Sequence, residues 1–172
     1  LDEFADLEIS DKPTREAWIS MLRELGKFEQ AVQLFEEDAA TDQFPVQQRR
    51  ELLEMYRDSG REPEMLEQYR KLIEEQPNNW IWPEGLSRFY LENGDVAAAR
   101  EAWMPFLKHE KPGANYLQGA EALMGVGMDD LALQCAEDCI TADTQTSPAY
   151  LFLYELHTFR GDLEKATLML NR

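Results

Sequence analysis

The sequence predicts an all-α fold built as an array of antiparallel helix pairs, and three observations predict it. Five glycines, Gly26, Gly60, Gly94, Gly127 and Gly161, recur at spacings of 34, 34, 33 and 34 residues. A fixed period of this size is the mark of a stacked repeat. Ahead of the glycines, apolar residues stand at helical spacing, as in Trp18 and Leu22, Leu52 and Tyr56, or Leu86 and Tyr90. Five residues past each glycine comes a small or slim side chain, Ala31, Met65, Ala99, Ala132 or Ala166, and four further on Phe35, Tyr69, Trp103, Ala136 or Leu170. No strand pattern competes.

Residues 1–11 read as an acidic lead-in. The first helices are expected at about 13–25, 47–59, 80–92, 114–126 and 148–160, and their partners at about 28–41, 62–75, 96–109, 129–142 and 163–171. Each glycine ends a first helix, because a residue without a Cβ enters the left-handed region at little cost. Asp95 and Asp162 are placed to cap the helices that follow. The small residue one turn into the second helix lets the two helices approach. Between pairs the chain turns at Asp42–Pro45, Gln76–Asn79, Lys111–Gly113 and Asp143–Pro148, with Ser147 as cap and Pro148 as first helical residue. Pro83 falls in a first turn, where its missing N–H costs nothing. Pro105 falls inside a helix and is expected to kink it or end it early. One pair cannot bury its apolar stripe alone, so neighbours stack. The units then divide at approximately 12–45, 46–79, 80–112, 113–146 and 147–172.

This pattern resembles the tetratricopeptide repeat family. The period, the glycine between helices, the alanine of the second helix and Pro77 closing the second unit carry the likeness over residues 12–172. The chain departs from the family in places: where the family favours Gly or Ala in the first helix, it has Ile19, Leu53, Ser87, Ala120 and Tyr154. Trp82, Phe89, Ala99 and Arg100 also echo the related half-repeat family. The resemblance implies a right-handed α-solenoid whose inner surface, lined by the first helices, holds an extended peptide or a partner helix. On that surface it places Arg50, Glu54 and Arg57, then Glu84 and Arg88, then Leu117, Glu121 and Met124, and finally Leu151. The arginines either clamp a partner's carboxylates or form i,i+4 or inter-helix pairs with Glu54, Glu84 and their neighbours. Leu117, Met124 and Leu151 are either an apolar groove or core facing the next unit.

Charge narrows the function classes. Lys plus Arg number 17 against 34 Asp plus Glu, a net charge of −17 over 172 residues. Such a chain repels phosphate backbones and anionic lipid, so neither nucleic acid nor direct membrane contact is expected. No apolar run is long enough to span a bilayer. No Ser-His-Asp set, His-rich cluster or glycine cradle is present. Asp129 and Asp130 open a helix, where acids suit the dipole, and His109 ends one. Cys135 and Cys139, four apart, read as small buried thiols, and zinc would need two further ligands. No cofactor or metal is expected. Trp18 and Trp103 read as core; Trp80 and Trp82 flank a helix start, and one of them is the candidate exposed aromatic.

The chain opens at Leu1 without an initiator Met, which reads as a piece of a longer protein. Reduced cysteines lean towards the cytoplasm, although a removed export signal would leave no trace. Leu163, Leu168 and Leu170, with Phe152 and Phe159, form an apolar edge that further repeats or another subunit would cover. The expected function is a non-enzymatic scaffold binding a protein or peptide, drawn by charge to a basic surface. The alternative is a structural module that self-associates through its C-terminal end.

Overall fold

A computed structural model describes residues 12–39, 46–142 and 147–170. The acidic lead-in and the turns at Asp42–Pro45 and Asp143–Thr146 lie outside these. Among the described residues the fold is all-α, with helices α1 (Lys12–Glu24), α2 (Phe28–Ala39), α3 (Val46–Asp58), α4 (Glu62–Glu75), α5 (Ile81–Glu92), α6 (Val96–Lys108), α7 (Gly113–Gly125), α8 (Asp129–Ala142), α9 (Ser147–Phe159) and α10 (Leu163–Leu170). Every expected helix is present.

The glycines do what the sequence requires of them. All five take φ between 69° and 80°. At Gly94 the glycine N–H donates to Leu91 O at 3.0 Å and the Asp95 N–H to Tyr90 O at 2.8 Å. The same two bonds close the turns at Gly26, Gly60, Gly127 and Gly161. This is the Schellman arrangement, which satisfies carbonyls that a helix end otherwise leaves open. A Cβ at any of the five would meet nothing within 4 Å, so glycine is needed there for its backbone freedom and not for space. Asp95 caps α6 as expected, its Oδ1 accepting from Ala98 N at 2.9 Å. Asp162 does not cap α10 in the same way; its carboxylate lies 3.8 Å from His157 Nδ1 instead. α6 runs through Pro105 to Lys108, so the proline does not end it early.

The chain divides into two compact units, residues 1–68 and 69–172, within each of which the helices stack as a solenoid of antiparallel pairs. In the first unit α1 packs on α2 and α2 on α3. Ile19, Val32, Phe35, Leu53 and Met55 fill its interior. Charged links join the helices outside this core. Arg15 of α1 reaches Glu37 and the Leu34 carbonyl of α2, both at 3.0 Å. Glu36 accepts from Tyr56 Oη at 2.7 Å and from Arg61 at 3.1 Å. Arg61 also lies 4.9 Å above the Tyr56 ring. Burial first, and the Glu36 carboxylate second, hold the Tyr56 hydroxyl well above the usual phenol range.

In the second unit α5 packs on α6, α7 on α8, α8 on α9 and α9 on α10. Trp103, Phe106, Leu123, Cys135 and Leu156 are sealed inside it. Trp103 meets Phe106 edge to face, with ring centroids 5.7 Å apart. Its Nε1–H donates to Ser87 Oγ at 3.1 Å, and that hydroxyl donates to Glu84 O at 3.0 Å, so the polar atoms buried with the indole are satisfied. Helices come close where glycine faces an aromatic ring. A Cβ on Gly85 would sit 2.6 Å from Tyr69 Oη, and one on Gly119 would collide with the Phe106 ring.

Candidate protein-interaction surface

Arg50, Glu54 and Arg57 belong to the first unit and lie on α3 one helical turn apart, all exposed. Arg57 sits 3.9 Å from Asp58. Arg50 makes no ion pair or hydrogen bond among the described residues. The remaining expected residues belong to the second unit. Arg88 is exposed on α5 and pairs with half-buried Glu84 four residues back at 2.5 Å, the helix-internal alternative of the two considered. On α7, Leu117 is half-buried and packs against the core, while Glu121 and Met124 are exposed. Met124 is 46% exposed and Leu151 of α9 is 54% exposed, so these two are available to a partner where Leu117 is largely committed.

Elsewhere the ionic groups act as braces. Arg100 of α6 grips Asp130 of α8 with both terminal nitrogens, at 2.9 and 2.6 Å. Hydrogen bonds from that guanidinium hold the Asp130 carboxyl below the usual carboxylate range. Asp130 therefore has a packing task besides its place at a helix start.

Trp103 and Trp82 are fully buried; Trp80 is half-buried, with Nε1 donating to Gln118 Oε1 at 3.3 Å. Trp18, expected in the core, is only half-buried. Cys135 and Cys139 are buried thiols, as expected. Their thiols donate to Tyr116 O at 3.2 Å and Gly113 O at 3.3 Å. Burial pushes the Cys135 thiol up to about 12. His157 is buried, and its Nδ1 finds no hydrogen-bond partner among the described residues. Among the described residues, no group of three His, Cys, Asp or Glu side chains could hold a metal ion. No described helix is long and apolar enough to cross a membrane.

Two features escaped the sequence reading. Lys111, taken as a turn residue, is buried with Nζ 4.0 Å from the Tyr116 ring centroid and 4.5 Å from that of Phe106. Nζ donates to His109 O at 2.5 Å, and desolvation holds its pKa below the ordinary lysine value. The second feature is a cleft of about 580 Å³ at the turn before α5, lined by five carboxamides together with Glu75, Pro77, Trp80, Ile81 and His109. The run Gln76, Asn78, Asn79 was its one visible trace; Asn115 and Gln118, which complete the wall, lie a full unit later.

No protein family matches the chain, nor does any curated protein. Among solved structures, the chain is similar to MamA, at 16% identity over 89% of this chain and 90% of that one, with a TM-score of 0.43. It is similar also to a putative kinesin light chain with nearly identical TPR-like repeats from Podosopora anserina, at 17% identity over 92% and 91%, with a TM-score of 0.45. A further MamA structure, MSR-1, is 18% identical over 91% and 90%, with a TM-score of 0.42.

Proposed function

We propose that the chain is a non-enzymatic protein-interaction module, an array of about five tetratricopeptide-like units divided near 45, 79, 112 and 146. The first helices of each unit, taken separately, offer a peptide or protein segment Arg50, Glu54 and Arg57 in the first and Glu84, Arg88, Leu117, Glu121, Met124 and Leu151 in the second. The observation that carries the reading is Arg50, an exposed guanidinium with no partner among the described residues, flanked on its helix face by Glu54 and Arg57. Its planar fork is left for a carboxylate or carbonyl of another chain. Met124 and Leu151 add exposed apolar contact. The net charge of −17 draws in a partner with a basic surface, and the arginines then fix its register. The test is affinity capture from native lysate with stepwise salt elution. One dominant partner, weakened by changing Arg50, Arg57 and Arg88 together to Ala, is the expected result; a partner whose retention ignores the triple change removes recognition from this surface.

A second reading, self-association through α9 and α10, is favoured by exposed apolar side chains there: Phe159 is 81% exposed and Leu163 66%. Sedimentation across a concentration series decides it. Dimers that dissolve on Phe159→Asp and Leu163→Asp support it, and a monomer at every concentration ends it.

A further inference from the structure

The five glycine turns close through the same backbone bonds, yet only one has a reactive neighbour. The residues ahead of the glycines are Leu25, Ser59, Asn93, Val126 and Arg160. Asn93–Gly94 is also the only Asn-Gly pair in the chain; Asn78, Asn79, Asn115 and Asn171 are followed by Asn79, Trp80, Tyr116 and Arg172. Residues 92–97 are exposed, so water reaches the pair directly. We propose that Asn93 is a site of spontaneous covalent modification, its amide converting to an acid through attack by the Gly94 nitrogen, and that closure of the turn between α5 and α6 governs the rate.

The reaction needs no reagent but water. The Gly94 backbone nitrogen bonds to Asn93 Cγ, the Cγ–Nδ2 bond breaks, and the displaced amino group leaves as ammonia with the Gly94 proton, closing a cyclic imide. Water then opens that ring. Cleavage of the bond from nitrogen to Cγ leaves aspartate. Cleavage of the bond from nitrogen to the main-chain carbonyl carbon leaves isoaspartate, whose backbone runs on through the side chain. Glycine favours the attack because no Cβ crowds its nitrogen.

In the closed turn both reacting groups are occupied. The Gly94 N–H donates to Leu91 O at 3.0 Å, and Asn93 Nδ2 donates to Phe89 O at 2.9 Å. The far flank is tied as well: the Asp95 N–H donates to Tyr90 O at 2.8 Å, and Asp95 Oδ1 accepts from Ala98 N at 2.9 Å. Attack therefore waits until the Gly94 and Asn93 bonds open together, a local event of the kind that exposed backbone undergoes. The product cannot close as the parent does. Either acid places a negative charge at the carbonyl end of α5, where the helix dipole disfavours it, with Glu92 and Asp95 close by in the chain. Isoaspartate also inserts a backbone atom between Tyr90 and Asp95 and so spoils the register of the Schellman bonds.

The test holds the full chain in mildly alkaline buffer, folded and in denaturing urea, and follows proteolytic peptides by mass spectrometry, with chromatography separating aspartate from isoaspartate. Conversion is expected at Asn93 ahead of every other asparagine, and about thirtyfold slower in the folded chain than in urea, the protection that two ordinary hydrogen bonds confer. Asp95→Ala, which removes the cap of α6, is expected to raise the folded rate about fivefold, measured against the same variant's rate in urea. Asn93→Gln, at unchanged helicity, loses the product. Equal rates folded and in urea, or a ratio that Asp95→Ala leaves unchanged, overturn the gating by the turn. A folded chain that stays intact well beyond the expected delay, a different asparagine converting first, or the same product from Asn93→Gln overturns the site itself.

Discussion

The two units solve the same problem with different chemistry. In the first, helices are tied at their rims by charged and hydroxyl side chains: Arg15 to Glu37, and Tyr56 and Arg61 to Glu36. In the second, beside the rim brace of Arg100 on Asp130, ties run through the interior, where Trp103, Phe106 and Tyr69 press against Ser87, Gly119 and Gly85. Rim ties sit in high dielectric and are screened by salt. Interior contacts are insensitive to salt and intolerant of any change in volume. One helix-pair plan thus accepts either form of cohesion, and the two should be separable by experiment.

The largest break comes from Trp103→Ala. It removes a fully buried indole, takes from Ser87 Oγ the donor it accepts from and leaves a void beside Phe106. A loss of about 3–5 kcal/mol is expected in urea unfolding, with little change on adding salt. Gly119→Ala tests the close approach with a single methyl. The buried Phe106 ring has no room to retreat, so about 1–3 kcal/mol is expected, and a neutral result would show that α7 can slide.

The smallest effect belongs to the first unit. Tyr56→Phe removes the bond to Glu36 and should cost about 1 kcal/mol at neutral pH. The Tyr56 hydroxyl is raised in the folded state, so its contribution is complete below the ordinary value of 10.0 and is lost as pH climbs above it. The parent chain should therefore lose stability in alkali more steeply than the Phe variant, and parallel pH profiles would remove Tyr56 from the ties.

How much of this was legible depended on how local the cause was. Each glycine turn is decided within about six residues, so the sequence carried it plainly. Trp103 was readable as core because its helix repeats its apolar stripe. Gly119 was passed over for its neighbour Ala120; both are buried, and only the position of Phe106 marks Gly119 as the point of close approach. Lys111 needed two aromatic rings from either side of it before its burial had a reason. The carboxamide cleft was the least legible feature, because Asn115 and Asn78 are brought together by packing alone.

The Schellman closures have a consequence for the order in which the molecule is made. In every one, the residue after the glycine donates to a carbonyl five positions back, as Met128 does to Leu123 and Arg61 to Tyr56. Such a turn can form as soon as its own two helices exist, without the far end of the chain. Low sequence separation between partners means little entropy is lost in bringing them together, the condition for fast folding. The helix pairs are thus suited to close one after another as the nascent chain emerges from the ribosome, each offering the next a surface on which to condense.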